Sequence, residues 1–465
     1  MTKKEVLNRI AFTLIITFTL VSFAGKSFAQ LPKETAEHKA QRMKWWTDDR
    51  FGMFIHWGLY SMPSRHEWVK KYERMTNQQY EKYFEMFNPD MYNPKEWAHM
   101  AKEAGMKYAV ITTKHHEGFC LFDSKFTDYK STNTPYGKDL LREWVDAFRA
   151  EGIKIGFYYS LIDWHHPDYT IDLQHPQSQD SDSAYQRINQ GRDMAKYREY
   201  IKNQVTELLT NYGEISILWL DFSFPWGIHG KGHNDWDSET LLKLVRKLQP
   251  NILVNDRLDL QDVEGGWDFT TPEQYKVSKW PEVNGKRVPW ETCQTFSGSW
   301  GYYRDENTWK DNKQLLGLLI ESVSKGGNLL LNLGPTSRGT IDPRARERLK
   351  AMGEWMKYNS RSIYGCTEAP PEFQAPDNCV LTYNPLTNRI YIHCLDWPIG
   401  TLNLKGFKGR IKYALMLHDG SEVQFSENKG YWNTEAQLED VISLSLPVLK
   451  PNVEIPVIEI ILNKK

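Results

Sequence analysis

The chain alternates between short apolar segments of strand length and longer segments with one apolar face, which are typical of amphipathic helices. The strand candidates are FGMFIHWG (51–58), YAVITTKHH (108–116), KIGFYYS (154–160), ISILWLD (215–221), NILVNDR (251–257), WDFTTPE (267–273), WETCQTF (290–296) and NLLLNLGP (328–335). Helical patterns lie between most of them, and several end in Gly or Pro, which stop helices. This alternation predicts a parallel sheet, and eight strands predict a (β/α)8 barrel. Because the gaps after the fifth and sixth strands are short, we expect the barrel to be irregular there.

The pattern changes near residues 360–370, after the last helical segment DPRARERLKAMGEWMKYN. Short strand-like runs with turn residues between them follow, among them RIYIHC, GTLNLK, VISLSL and PVIEIIL. Such runs are typical of a small antiparallel β-sandwich. We therefore expect a barrel domain over residues 30–365 and a β-sandwich domain over residues 366–465.

The N-terminus has the pattern of a secretory signal peptide. Basic residues in MTKKEVLNR precede an apolar run of about 16 residues, and small residues follow at Ser27 and Ala29. The alternative is a membrane anchor, but the run is shorter than the roughly 20 residues that span a bilayer. We expect residues 1–29 to be removed and the mature chain to be exported, to the periplasm or outside the cell.

The amino-acid composition limits the kinds of partner and ligand that we expect. Lys and Arg number 58 against 59 Asp and Glu, so the balance gives no reason to expect nucleic acid or an anionic membrane as partner. Aromatic residues reach 13%, with 18 Trp and 24 Tyr, and aromatic faces suit the flat apolar faces of sugars. Five Cys occur without a CxxC or Cys/His metal spacing, which argues against a zinc site. Cys379 and Cys394 flank a predicted hairpin, where they either pair or remain two buried thiols.

Five of the first six residues of ISILWLDF (215–222) are apolar, and the segment then places a carboxylate, Asp221, at the end of a core strand. An unpaired buried charge costs several kcal/mol, so Asp221 needs a partner or a function. The simpler alternative is that Asp221 caps the next helix or closes a turn.

Polar residues gather at the ends of the other predicted strands as well, where a barrel carries its chemistry. They are His56-Trp57, His115-His116-Glu117, Tyr158-Tyr159, Trp219, Asn255-Asp256-Arg257, Glu273, Glu291 and Asn332. Carboxylates suit acid–base or nucleophilic chemistry, His and Arg suit hydroxyl groups, and aromatic faces suit a sugar ring. The set is that of a sugar-cleaving site.

The order of the motifs resembles that of the α-L-fucosidases of glycoside hydrolase family 29. The matching segments are FGMFIHWGLYSMPSRHEW, TTKHHEGFCLFDSKFTDY, GFYYSLIDW, LWLDF, NDR, WDFTTPEQY, WETC, SWGY and GGNLLLNLGP. They span about residues 40–365, and family members also carry a C-terminal β-sandwich. The chain departs from the family in LDF, where many members have Gly after the Asp, and in the long loop GIHGKGHNDWDS.

The resemblance implies a retaining, exo-acting α-L-fucosidase that works by double displacement through a covalent fucosyl-enzyme. Asp221 matches the family nucleophile. The acid/base is either Glu273 in TTPEQY or Glu291 in WETC, and we expect it to be Glu273. Sequence spacing cannot rank the two glutamates, because both follow Arg257 at predicted strand ends.

The resemblance also implies a set of fucose contacts: His56, Glu67, Trp68, His115, His116, Tyr158, Trp219, Arg257 and Trp300. Trp300 matches an aromatic near the methyl group of the sugar, where a misfit group would cost about 1–3 kcal/mol. A metal shared by His115 and His116 is the alternative for that pair. Neighbouring residues of a strand point to opposite faces, so we expect no shared ion, and no cofactor is implied.

Two other functions remain open at this point. A related retaining enzyme for α-L-galactosides would need space near Trp300 for an extra hydroxyl group at C6. The second is a carbohydrate-binding homologue without activity. The presence of Asp221 and both glutamates argues against it. The expected partner is a fucosylated oligosaccharide or glycoconjugate, and the sequence leaves linkage and oligomeric state undetermined.

Overall fold

The computed structural model describes residues 34–427 and 440–464. The predicted signal peptide, residues 1–29, lies outside these ranges, so its assignment stays a prediction. Within the described residues, no helix is both long and apolar enough to cross a bilayer.

Helices lie between most of the described strands, as the alternation of segments predicts. In chain order they are α1 Ala36–Asp49, α2 Val69–Tyr72, α3 Asn77–Met86, α4 Pro94–Glu103, α5 Leu140–Ala150, α6 Asp182–Ile188, α7 Met194–Asn211, α8 His233–Trp236, α9 Ser238–Leu248, α10 Asn312–Val323 and α11 Pro343–Asn359. Short 3₁₀ helices cover Leu59–Ser61, Ser131–Asn133 and Ser360–Ser362.

The described strands fall into an N-terminal and a C-terminal set. The first is β1 Phe51–Ile55, β2 Tyr108–Lys114, β3 Lys154–Ser160, β4 Ile217–Asp221, β5 Leu253–Val254, β6 Glu282–Val283, β7 Lys286–Arg287, β8 Glu291–Thr295 and β9 Asn328–Leu333. The second is β10 Cys379–Asn384, β11 Arg389–Cys394, β12 Thr401–Lys405, β13 Ile411–Met416, β14 Gln424–Glu427, β15 Val441–Ser445 and β16 Val457–Leu462.

Seven strands of the first set form one parallel sheet in the order β5-β4-β3-β2-β1-β9-β8. The segment 267–273, predicted as the sixth strand, is not a regular strand. Isolated parallel bridges, Asn255 to Phe269, Thr270 to Trp290 and Glu273 to Cys293, connect it to both edges of the sheet. Pro272 lacks an N–H group, which disfavours a continuous ladder here. The irregular (β/α)8 barrel is confirmed, with its irregular part where the short gaps predict it.

Strand β4 shows how the sequence aims side chains into the barrel. Ile217 and Trp219 belong to the core inside the barrel, whereas Leu218 and Leu220 belong to the core between the sheet and the helices. Side chains alternate between the two faces of a strand. Asp221 is therefore the next inward residue, at the carboxyl end of the strand.

Helix α5 illustrates the outer layer. Its buried residues Leu141, Trp144, Val145 and Phe148 recur at helical spacing and form one apolar face. The carboxylate of Asp139 caps the helix by accepting a hydrogen bond from the backbone N–H of Arg142 at 2.9 Å. Such faces pack against the outward residues of the sheet and fix the strand ends.

The C-terminal strands form two antiparallel sheets, β10-β11-β16-β13 and β12-β15-β14, around a common apolar core. This is the β-sandwich that the sequence predicts. Cys379 and Cys394 lie directly opposite each other on β10 and β11, and both are free, buried thiols.

Candidate active site

A small pocket opens at the carboxyl ends of the barrel strands, with a cavity volume of about 70 Å³. We call it the inner pocket. Its lining residues are Phe54, His56, Trp68, His115, His116, Tyr158, Trp219, Asp221, Phe222, Arg257, Glu273, Cys293 and Trp300. The structure thus brings together ten of the residues that the sequence predicts for the site.

Asp221 is held on both of its carboxylate oxygens. Tyr158 donates a hydrogen bond from its hydroxyl to Oδ2 at 2.7 Å, and Arg257 donates from Nη1 to Oδ1 at 3.2 Å. The side chain is 14% exposed, and this exposure faces the inner pocket. Asp221 therefore neither caps a helix nor closes a turn, and its charge is paired while one edge stays open to the pocket.

Arg257 connects the two carboxylates of the inner pocket. Its Nη2 donates to Oε2 of Glu273 at 2.9 Å, while its Nη1 reaches Asp221. Thr271 orients the guanidinium by accepting from Nε at 2.8 Å and donating its own hydroxyl to Oδ1 of Asp256 at 2.8 Å. One fixed cation thus sets the relative positions of Asp221 and Glu273.

Burial dominates the electrostatics of this group. It raises the pKa of Asp221 to about 6, against the opposing effects of the Arg257 guanidinium and the Tyr158 hydroxyl. Burial also lowers the pKa of Arg257, but the carboxylates of Asp221 and Glu273 outweigh it and leave that pKa raised. Arg257 thus stays charged, and Asp221 ionises close to neutral pH.

His56 has a defined tautomer. The amide of Asn332 donates from Nδ2 to the backbone carbonyl of Trp300 at 2.7 Å, so its Oδ1 faces His56. Nδ1 of His56 donates to this oxygen at 2.6 Å. Burial lowers the pKa of His56 to about 3, so the ring is neutral and Nε2 is left as an acceptor for a hydroxyl group.

His115 and His116 lie side by side, with ring centroids 4.0 Å apart, and both line the inner pocket. The prediction that they point to opposite faces is wrong, because β2 ends at Lys114 and strand alternation stops there. Burial and neighbouring positive groups lower the pKa of both rings well below the ordinary value. Two neutral imidazoles suit sugar hydroxyls. Among the described residues, no group of three His, Cys, Asp or Glu side chains is placed to hold a metal ion.

Glu291 lies at the other end of the barrel. It is the first residue of β8 and pairs with Asn328, the first residue of β9. Its side chain is fully buried, and its Oε2 accepts a hydrogen bond from the Tyr108 hydroxyl at 2.5 Å. The prediction that Glu291 stands at the carboxyl end of its strand is wrong, and Glu291 does not line the inner pocket.

Glu67 also lies outside the inner pocket. Its buried carboxylate accepts hydrogen bonds from the backbone N–H of Gly301 at 3.0 Å and from the Ser299 hydroxyl at 3.1 Å. These bonds fix the chain on either side of Trp300. The predicted contact between Glu67 and fucose stays a prediction.

Sequence reasoning missed three lining residues: Phe54, Phe222 and Cys293. Alternation along the strand would have found Phe54, because it lies two residues before His56 on β1. Phe222 follows Asp221 and has a backbone φ of 83°, in the region that favours glycine. The sequence signal was the absence of the glycine that many α-L-fucosidases have at this point.

Comparison with known proteins decides the family, because the Alpha-L-fucosidase family model matches residues 22–361 of the chain. The chain belongs to the α-L-fucosidase family. Tissue α-L-fucosidase of Mus musculus is 30% identical to this fucosidase over 436 residues, which cover 88% of each chain. The predicted family and enzyme class are thereby confirmed.

Solved structures of α-L-fucosidases agree with this fold. Isoenzyme 1 from Paenibacillus thiaminolyticus superposes with a TM-score of 0.84 and 45% identity, over 92% of this chain and 100% of that one. A family 29 fucosidase from Bacteroides thetaiotaomicron, solved as a trapped covalent intermediate, gives a TM-score of 0.77 at 28% identity. It covers 91% of this chain and 96% of its own.

Proposed function

We propose that this fucosidase is an exo-acting, retaining enzyme that releases terminal α-L-fucosyl residues from glycans. The observation that carries the proposal is the group of Asp221, Arg257 and Glu273, in which one guanidinium contacts two carboxylates at the inner pocket. Retaining glycosidases need two carboxyl groups only about 5–5.5 Å apart. A single shared guanidinium supports such a short separation.

In the proposed first step, a carboxylate oxygen of Asp221 attacks the anomeric carbon and forms a covalent fucosyl-enzyme. Glu273 gives its proton to the glycosidic oxygen, and the leaving alcohol departs. In the second step Glu273, now ionised, takes a proton from water, and the hydroxide attacks the anomeric carbon. The bond to Asp221 breaks, and because each step inverts the anomeric carbon, the two steps together restore the original α configuration.

The remaining lining residues supply recognition. His56, His115 and His116 are neutral and offer donors and acceptors to the fucose hydroxyls. Trp300 packs against His56, with ring centroids 5.1 Å apart, and offers an apolar face to the sugar's methyl group. The small volume of the inner pocket suits one terminal residue, which supports exo action.

The discriminating assay compares an aryl α-L-fucoside with the matching aryl α-L-galactoside. We expect kcat/KM to favour the fucoside by roughly 10- to 200-fold, because a hydroxyl at C6 would meet the indole of Trp300. Asp221→Ala serves as the inactive control. Equal or better turnover of the galactoside would shift the proposal to the related enzyme, and no turnover of either would indicate a binding protein without activity.

The proposed substrate is a fucosylated oligosaccharide or glycoconjugate that the enzyme meets after export. The N-terminal sequence pattern supports export, and the exposed opening of the inner pocket allows a bulky glycan to present its terminal residue. No cofactor takes part in the proposed chemistry, because nucleophile and acid/base are both side chains of the chain itself.

A further inference from the structure

A second cavity, of about 610 Å³, lies beside the inner pocket. We call it the outer cleft, and its lining residues are His66, Glu67, Trp68, Tyr72, Glu273, Gln274, Ser297, Gly298, Trp300, Thr308 and Lys310. Trp68, Glu273 and Trp300 line both cavities. The outer cleft therefore continues the inner pocket on the side of the Glu273 carboxylate.

The position of Glu273 between the two cavities indicates which part of the substrate the outer cleft binds. If Glu273 protonates the glycosidic oxygen, that oxygen lies between the two cavities, with fucose on one side and the leaving group on the other. This step rests on the proposed function. The outer cleft is many times larger than the inner pocket, so it has room for at least one further sugar ring.

Tyr72 is the exposed aromatic of the outer cleft. It is the last residue of α2, and its side chain is 65% exposed. The ring stacks on Trp68 with centroids 6.2 Å apart and an interplanar angle of 29°, and it lies tilted against His66, with ring centroids 5.3 Å apart. Trp68 in turn packs against Trp164, with ring centroids 5.3 Å apart, and the Nζ of Lys71 lies 5.0 Å from the centroid of the Trp68 ring. Tyr72 thus presents a supported apolar face to the cleft.

Other lining residues of the outer cleft are polar. Lys310 donates its ammonium protons to the backbone carbonyls of Thr295 at 2.7 Å and Ser297 at 3.5 Å. Gln274 and Thr308 contribute an amide and a hydroxyl to the cleft. A supported aromatic face in a cleft whose other lining groups offer hydrogen bonds suits an uncharged pyranose ring, whose C–H face is apolar and whose edge carries hydroxyls.

We propose that the outer cleft binds the sugar residue to which fucose is attached, and that Tyr72 is its stacking platform. The ligand of the outer cleft is then a neutral hexopyranose or N-acetylhexosamine residue that belongs to the leaving group. Tyr72 then sets the preference for glycan leaving groups over small ones, without taking part in bond cleavage.

The test compares a fucosyl-hexose disaccharide with α-L-fucosyl fluoride, whose leaving group has no ring. For Tyr72→Ala, we expect the ratio of kcat/KM for the disaccharide to kcat/KM for the fluoride to fall roughly threefold to tenfold, as aromatic contacts typically contribute. Tyr72→Phe should keep the wild-type ratio. The matched control is Tyr358→Ala, since Tyr358 is 54% exposed and lines neither cavity.

The outcomes separate this inference from the proposed function. Wild-type protein that cleaves neither substrate contradicts the proposed function. Wild-type protein that cleaves both, with an unchanged ratio in Tyr72→Ala, overturns the inference alone. An equal loss on both substrates also overturns it, because Tyr72 would then support the inner pocket rather than the leaving group.

Discussion

Asp221 combines two opposing requirements in one side chain. A nucleophile has to be ionised at working pH, whereas a rigid position at a strand end requires burial, which favours the neutral acid. Arg257 and Tyr158 stabilise the ionised form, and the pKa nevertheless stays raised at about 6. The activity of this enzyme should therefore depend on pH in the slightly acidic range.

We predict that kcat/KM for an aryl fucoside falls tenfold per pH unit below about pH 6, where Asp221 gains its proton. Tyr158→Phe removes a hydrogen bond that favours the carboxylate, so the acid limb should move to higher pH. The measurement is a pH profile of kcat/KM for both proteins. An acid limb near pH 4 in wild-type protein, close to the ordinary value for Asp, would contradict this account.

Phe222 holds a strained backbone conformation next to the nucleophile. Its ring contacts Trp68 and His116, with centroids 5.4 Å and 5.0 Å away, so the strain places an aromatic wall in the inner pocket. At a φ of 83°, glycine is favoured over any residue with a Cβ. We predict that Phe222→Gly is about 1 kcal/mol more stable than Phe222→Ala.

Both Phe222 variants lose the same ring, so the difference between their free energies of unfolding reports the backbone strain at residue 222. Urea unfolding of the two proteins under identical conditions measures it. Equal stability, or a more stable Ala variant, would show that residue 222 is free of strain.

At the scale of elements, the two candidate acid/base residues belong to opposite ends of the barrel. Glu273 bridges to Cys293 near the middle of β8 and reaches Arg257, whereas Glu291 begins β8 beneath the barrel core. A general acid has to reach the glycosidic oxygen, and it matters most when the leaving group is poor. The geometry therefore supports Glu273 as the acid/base and Glu291 as a structural carboxylate.

We predict that Glu273→Ala strongly slows hydrolysis of natural fucosides but spares the first step with an activated aryl fucoside. The fucosyl-enzyme should then accumulate, and added azide should speed its breakdown. Glu291→Gln should lower activity on both substrates in equal proportion and show no azide effect. The measurement is the hydrolysis rate of both variants on both substrates, with and without azide. Selective loss and azide rescue in Glu291→Gln would exchange the two roles.

The periodicity of the sequence predicts most helices and strands of the barrel, because local burial follows local pattern. It also predicts that Asp221 stands at the end of a core strand, but only the structure shows that Trp219, on the same face of β4, belongs to the core inside the barrel. The predicted strand WETCQTF (290–296) already places Glu291 near its amino end, which in a parallel barrel lies opposite the carboxyl ends, so the strand-end assignment of Glu291 disagrees with the strand from which it came. The contact of His115 with His116 depends instead on the point where β2 ends, which alternation alone does not give.

At the scale of the whole molecule, we propose two domains that divide near residue 365, a barrel over 30–365 and a β-sandwich over 366–465. The two are joined closely. Trp355 of α11 donates from its indole to the carbonyl of Ile455 at 2.8 Å. Buried Glu459 on β16 accepts from Arg361 and Arg389. The β-sandwich therefore supports the last helix of the barrel.

The proposed export of the protein rests on its N-terminal sequence pattern alone. We predict that mature protein collected outside the cytoplasm begins at Gln30 or within a residue or two of it, because cleavage follows the small residues Ser27 and Ala29. Intact-mass measurement of the exported protein tests this. Uncut chains recovered with the membrane would identify the apolar run as an anchor instead.

The proposed mechanism depends above all on a covalent bond between Asp221 and the fucosyl residue. The most direct measurement is to treat the wild-type enzyme with 2-fluoro-fucosyl fluoride, digest it, and locate the label by mass spectrometry. Fluorine at C2 destabilises both oxocarbenium-like transition states, while the fluoride leaving group keeps the first step fast enough for the fucosyl-enzyme to accumulate. We expect one 2-fluoro-fucosyl group per chain, on the peptide that contains Asp221. An unlabelled enzyme that still turns over fucosides, or a label on another residue, would contradict it.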